Sequence, residues 1–340
     1  MSEQPPSTDF DIVAFYKNLL QSDPEITPPI AAIESLISLL ATTPLTTISE
    51  TLALLSTHSR KLLASQRNPI PLSAGTDLFQ RYLVSSFQQR PSSLANSDFS
   101  TLRHHIITNS SLFVKRTSEA RVKIAHHALP FIKDDSTIIT FGYSRAVHTL
   151  LTHAASSNRF FSVIYILPSS GVSPILSRSI AALNDLSIPT TMISLHALSY
   201  ALASLPPSSA APQFIVGTSA VLENGSIVTQ LGNHQIGLVA RSASIPLHVA
   251  AESYKFVRHF PLGHGPADLA SMGVKQDILR YSTNSPASQG DKDKLSAAAS
   301  AHPEDEMVEI TPPELISALI TENGIMTPNA VSEELIKLWF

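Results

Sequence analysis

The stretch Thr137-Ile-Ile-Thr-Phe-Gly-Tyr-Ser-Arg-Ala146 runs from a β-rich apolar segment into a glycine and then into residues suited to open a helix. A short apolar run closed by a glycine and a hydroxyl cap is the form of a buried strand passing into a βαβ crossover. Downstream the pattern repeats. Candidate strands are Thr137 to Phe141, Ser162 to Leu167, Thr190 to Ile193, Phe214 to Gly217 and Leu247 to Ala250, with helical candidates such as Pro174 to Leu186 and Leu198 to Ser204 between them. Strands alternating with helices build a largely parallel sheet covered on both faces. An identical Ser-Ile-Pro introduces two of the strands, at Ser187 to Pro189 and at Ser244 to Pro246, where a proline is tolerated because the ladder has not begun.

Upstream the period is different. From Phe10 to about Lys133 the apolar spacing is helical, with Ile30, Ile33, Ile37 and Leu40 on one face and Leu78, Tyr82 and Leu83 on another. About five helices are expected. Their caps are read as Thr8 or Asp9 for the first, Thr27 with Pro28 and Pro29 for the second, Ser73 for the fourth, and Ser97 or Asp98 for a long fifth. The chain is therefore read as α/β, an N-terminal helical bundle over residues 1–133 followed by a Rossmann-like, doubly wound, mostly parallel sheet domain over 134–340. Ser204 to Gln213 reads as a surface connection. The stretch 284–306, rich in Ser, Ala and charge, reads as a disordered insertion. The terminal Trp339 and Phe340 are expected to be docked, with another subunit as a candidate surface.

Composition narrows the chemistry. The 340 residues are 43% hydrophobic and 15% charged, enough apolar side chain for a sizeable core. With 23 basic and 27 acidic residues the formal charge is -4, which gives no general attraction for nucleic acid or an anionic membrane. No cysteine is present, which excludes disulfides, thiolate metal sites and a thiol nucleophile. The N-terminus lacks the basic and apolar pattern of an export signal, and a cytosolic location is expected. The pairs His104-His105 and His126-His127 lack a third ligand at helical spacing, and neither GxxxxGK[ST] nor GxGxxG occurs.

In an open α/β sheet, ligands collect at the carboxyl ends of the strands. Three such ends carry polar groups: Tyr143, Ser144 and Arg145 after the first strand, Ser219 with Glu223, Asn224 and Gly225 after the fourth, and Glu252, Ser253 and Lys255 after the fifth. Hydroxyls, helix N-termini and two cations around one crevice would suit a phosphate. The same residues also admit a purely local reading: Ser144 as a helix cap, Arg145 paired with Glu223 or Glu252, and Asn224-Gly225 as a tight turn.

At these residues the sequence resembles the family that holds the alpha, beta and delta subunits of eukaryotic translation initiation factor 2B and two sugar-phosphate isomerases. The resemblance is carried by Asp23-Pro-Glu-Ile26, Ser73-Ala-Gly-Thr-Asp-Leu-Phe79, Ile138 to Arg145, Val216-Gly-Thr-Ser-Ala-Val-Leu-Glu-Asn-Gly225, Ala250-Ala-Glu-Ser-Tyr-Lys-Phe256 with Phe260-Pro-Leu262, and Thr327 to Leu338. The Ala-Glu-Ser-Tyr-Lys-Phe run and the final motif are most similar to the alpha branch. A basic residue would be expected at Glu34, where this chain departs from that branch.

Several expectations follow from the resemblance alone. In the isomerases a cysteine and an aspartate move the proton; here their positions hold Gly142 and Ser219, and an asparagine-lysine pair reads Thr229-Gln230. Glycine has no titratable group and a serine hydroxyl is too weak an acid without an activating base, so isomerase activity is disfavoured. The resemblance implies a noncatalytic regulatory subunit with no obligatory cofactor, and a sugar phosphate or nucleotide monophosphate as regulatory ligand. It implies a homodimer that joins beta, gamma, delta and epsilon subunits and helps sense the phosphorylated alpha subunit of initiation factor 2 through the helical domain.

Overall fold

The computed structural model describes residues 10–23, 25–43, 47–88, 119–206, 210–276, 278 and 307–339. The chain divides into two units, Met1–Ser118 and Glu119–Phe340. That division precedes the expected boundary at 133/134. The reason is a helix over residues 119–128, whose Ile124, Ala125 and Ala128 pack with Ile132 into the core beneath the first strand. Its helical period placed it with the bundle, but its apolar stripe belongs to the sheet. The expected fifth-helix cap, His104-His105 and the stretch 284–306 lie outside the described residues.

In the first unit, α1 (Ile12–Ser22) begins at Asp11, whose carboxylate accepts from the amides of Val13 and Ala14. The cap is thus two or three residues later than Thr8 or Asp9. Helix α2 (Pro28–Thr42) starts after Thr27 with prolines in its first turn, as read from the sequence. Helix α3 (Ile48–Ala64) opens on a capping box of Thr47 and Glu50. Helix α4 (Ile70–Gln88) starts ahead of the expected Ser73: Asn68 Oδ1 accepts from the Ile70 amide, and Ser73 Oγ bonds back to the Ile70 carbonyl inside the helix. Tyr16, Ala31, Ala32, Leu62 and Leu72 form a core of this unit. Phe79 and Leu83 are buried on α4 while Leu78 and Tyr82 are half-buried, so the stripe is rotated from the one expected.

The second unit follows α5 (119–128) with a main sheet of β1 (Ser136–Phe141), β2 (Phe161–Leu167), β3 (Thr190–Ser194), β4 (Gln213–Gly217), β7 (Leu247–Ala250), β10 (Ala318–Thr321) and β11 (Gly324–Met326). Its order is β11-β10-β7-β4-β1-β2-β3, parallel except for β11. All five expected strands are present, the ends differing by a residue or less. A smaller sheet, β8-β5-β6-β9, contains β5 (Ala220–Leu222), β6 (Ile227–Gln230), β8 (Phe256–Val257) and β9 (Val308–Thr311). The remaining helices are α6 (Arg145–Ser156), α7 (Pro174–Asp185), α8 (Leu198–Ala203), α9 (Asn233–Ser242), α10 (Pro266–Ser271) and α11 (Val331–Trp339).

Strand periodicity of two sorts the core into two layers. Ile138, Val163, Tyr165, Ile215, Ala250 and Ile320 face α5, α6 and α7. Their neighbours Ile139, Ile166, Phe214, Val216, Val249 and Leu319 face the other side, with Ile236 and Ala240 of α9 and Val331 and Leu335 of α11. The main sheet is therefore doubly wound. Each fully buried Leu, Ile or Val contributes about 1.5–3 kcal/mol relative to exposure, so these two layers dominate the unit's stability.

The repeated Ser-Ile-Pro has a structural cause besides strand entry. Ser187 and Ser244 adopt φ of 62° and 57°, and each ends a helix. The Ile188 amide donates to Leu183 O and the Ile245 amide to Ala240 O, the long bond of a left-handed helix C-cap. Among the described residues no helix is long and apolar enough to cross a membrane.

Candidate functional site

Strand order places the switch point between β1 and β4: the chain moves outward through β2 and β3 on one side, and through β7 and β10 on the other. The loops leaving β1 and β4 touch there. A Cβ built on Gly217 would lie 2.1 Å from Ser144 Oγ, so only glycine lets the two strand ends approach this closely. Gly142 takes φ +54° just past β1, its amide donating to Ile166 O at 2.9 Å. The nearest atom to a Cβ at that position would be 4.0 Å away, and glycine brings no reactive group to this strand end.

Ser144 is the N-cap of α6, its Oγ accepting from the Val147 amide at 3.4 Å. Arg145 is the first residue of α6 and half-buried. Tyr143 is half-buried with its ring centroid 6.1 Å from that of His148. On the β4 side, Thr218 Oγ1 donates to the Ala220 or Val228 carbonyl, and the Ser219 amide donates to Val228 O at 3.0 Å.

The third strand end is occupied by an ion network. Glu252 is fully buried. Its Oε2 lies 2.7 Å from Lys255 Nζ, and its Oε1 accepts from Tyr254 OH at 3.0 Å and faces Arg121 Nε at 3.4 Å. Burial alone would push this carboxyl up, but the Lys255 ammonium and the Arg121 guanidinium prevail and hold it below the ordinary carboxylate range. Lys255 Nζ also donates to Thr218 O at 3.0 Å, which ties the end of β7 to the end of β4. Ser253 gives both its amide and its hydroxyl to the Glu322 carboxylate.

The structure thus gathers Gly142, Ser144, Arg145, Ser219, Glu252 and Lys255 around the ends of β1, β4 and β7. Glu223, Asn224 and Gly225 are elsewhere. They form the turn between β5 and β6, carried along β5 by about 10 Å from Ser219 at the usual rise per residue. Asn224 Oδ1 accepts from the Ser226 amide, the Gly225 amide donates to Leu222 O, and the Glu223 amide donates to His259 O. Gly225 has φ +83°, and a Cβ there would lie 2.3 Å from Pro328 O. The local reading of Ser144 as a cap and Asn224-Gly225 as a tight turn describes these residues as they stand. The described partners of Glu252 are Lys255, Tyr254 and Arg121, not Arg145.

Sequence reasoning missed Arg121, Glu309 and Glu322. Glu309 Oε1 accepts from the amides of Gly232 at 2.8 Å and His234 at 2.7 Å, placing a carboxylate on the N-terminus of α9. Glu322 precedes Asn323-Gly324, a dipeptide that favours a hairpin turn and could have pointed to it; nothing local marks Glu309. Among the described residues no group of three or more His, Asp or Glu side chains is arranged to hold a metal ion. His126 and His153 meet edge to face at 4.4 Å, and burial with the neighbouring His126 lowers the His153 pKa. Two clefts of about 480 and 590 Å³ open at the opposite edge, lined respectively by residues such as Ser136, Phe160 and Pro189, and by Pro212, Ser244 and Pro246.

Comparison with known proteins agrees with this architecture. The model of the initiation factor 2 subunit family matches residues 21–328. The chain is 31% identical over 341 residues to translation initiation factor eIF2B subunit alpha of Dictyostelium discoideum, covering 97% of this chain and 98% of that protein. It is 27% identical over 331 residues to the corresponding subunit of Caenorhabditis elegans, covering 96% and 98%. Among solved structures, a chain of the tetrameric eIF2B-beta2-delta2 complex from C. thermophilum superposes with a TM-score of 0.70 at 16% identity, covering 97% of this chain and 96% of that one. At that identity the superposition speaks for the fold. The chain belongs to the initiation factor 2 subunit family.

Proposed function

We propose that this protein is a noncatalytic regulatory subunit of the exchange factor for translation initiation factor 2. The observation that carries the reading is the match to two alpha subunits over nearly the whole chain; Gly142 and Ser219, which stand where the resemblance would place the isomerases' proton-transferring pair, support it. A crevice that has the isomerases' position without a cysteine and aspartate lacks the groups for moving a proton between adjacent sugar carbons. In this reading the protein is cytosolic and forms a homodimer through its α/β unit. The dimer joins beta, gamma, delta and epsilon subunits, and its helical unit helps read the phosphorylated alpha subunit of initiation factor 2.

A regulatory anion, a sugar phosphate or nucleotide monophosphate, would lie at the ends of β1 and β4. The crevice position, the α6 N-terminus and the cations Arg145 and Lys255 support this. Incubation with ribose 1,5-bisphosphate or methylthioribose 1-phosphate is expected to yield no ketose, whereas the tagged protein is expected to co-purify with the other four subunits. Turnover of either sugar, or a failure to associate with reconstituted beta and delta subunits, would overturn the assignment.

A further inference from the structure

We propose that Glu252 is a built-in competitor for the anion of the crevice: a phosphate entering at the ends of β1 and β4 draws Lys255 off Glu252, and leaves that carboxylate to Arg121 on α5. The inference rests on the ligand reading above and adds the mechanism by which occupancy is felt elsewhere in the fold.

The geometry points this way for three reasons. First, the Lys255 ammonium stands at the switch point. It is bonded to the carbonyl of Thr218, one residue past β4, whose Gly217 lies against Ser144 at the start of α6. Among the described contacts two of its three N–H groups are assigned, to Thr218 O and to Glu252. Second, Glu252 is fully buried and holds its position through Tyr254 as well as through the two cations, whereas a lysine head on a four-carbon stem can swing by a few ångströms.

Third, the exchange leaves no charge unpaired. Breaking a buried ion pair is costly because it strands a charge, so Lys255 leaves Glu252 only by moving to a phosphate of about -1.5 to -2 charge while Arg121 stays on the carboxylate. The vacated Glu252 oxygen then needs a partner. Arg121 is already placed at 3.4 Å, a distance with room to shorten. Arg121 belongs to α5, whose Ile124, Ala125 and Ala128 are packed in the core of this unit, so a firmer ion pair would tighten that helix.

The test is titration calorimetry on the full-length protein with inorganic phosphate and with ribose 5-phosphate at constant ionic strength. Glu252→Gln removes the competitor and is expected to tighten binding by about three- to tenfold; Lys255→Met is expected to weaken it by at least about tenfold. Tyr254→Phe removes a donor that tempers the carboxylate's charge, so Glu252 should hold Lys255 more firmly and binding should weaken. Hydrogen exchange over residues 119–128 should slow at saturating ligand, and Arg121→Met should abolish that slowing. Equal or weaker binding by Glu252→Gln, with the wild type binding, overturns the competition and leaves the pocket standing. No binding by the wild type overturns both. If circular dichroism shows that Glu252→Gln does not fold, Tyr254→Phe decides, and unchanged or tighter binding there overturns the proposal.

Discussion

Gly75 stands where α4 crosses α2, and a methyl group built on it would lie 2.4 Å from the carbonyl oxygen of Pro29. Backbone cannot retreat as a flexible side chain can, so Gly75→Ala is expected to cost about 1–3 kcal/mol. Urea unfolding followed by helical circular dichroism measures this; an unchanged midpoint would show that the crossing has slack. His248 on β7 gives a prediction in pH. It is 5% exposed, its ring lies 4.6 Å from that of Phe131, and burial lowers its pKa below 6.5. The unfolded chain therefore takes up this proton at a higher pH than the folded one, and stability is lost as pH falls below about 6.5. Thermal midpoints between about pH 7.5 and about pH 5.5 should fall less steeply in His248→Gln; an equally steep fall in the variant would remove His248 from the acid response. At this scale the site was only partly legible. Ser144 could be read as a cap because capping is local, but Lys255 read as a cation facing the crevice. Its carboxylate partner is three residues away and that carboxylate's second cation, Arg121, 131 residues earlier. Pairing at such separation leaves no trace in local pattern.

Helix ends and short strands carry the next set of consequences. Ser187 and Ser244 occupy left-handed conformations that cost an L-residue about 1 kcal/mol relative to glycine. Ser244→Gly is expected to raise stability by about 0.5–1 kcal/mol, readable as a higher urea midpoint; a loss would mean that the hydroxyl has a role the backbone does not show. Glu309 provides the opposite case. Because its carboxylate accepts from Gly232 and His234, Glu309→Ala should cost about 1 kcal/mol and speed amide exchange in the first turn of α9. Exchange rates like those of the wild type would reduce Glu309 to an incidental contact. The five expected strands were legible because each is an apolar run bounded by turn residues. The pieces β5, β6, β8, β9, β10 and β11 span two to four residues and are absent from the strands expected from the sequence. Such pieces are too short to show alternation, and pairing with partners far along the chain determines them. Helix α5 shows the reverse error: its period was read correctly and its allegiance was not, since period alone does not say which core a stripe joins.

For the whole molecule, the formal charge of -4 gives no general attraction for nucleic acid or an anionic membrane, and cations act locally, as those around Glu252 do. The proposed homodimer makes a simple demand. Removing Trp339 and Phe340 should weaken self-association, seen as a mass that shifts toward the monomer across a dilution series; identical masses with and without them would take the C-terminus out of the interface. The central claim is that the protein regulates exchange without catalysing a reaction. Its most direct test is the rate of guanine nucleotide release from initiation factor 2, driven by the beta, gamma, delta and epsilon subunits with and without this chain, as phosphorylated initiation factor 2 is added. The account predicts strong inhibition by the phosphorylated factor when the chain is present and much weaker inhibition when it is left out. Equal inhibition in both mixtures would contradict it.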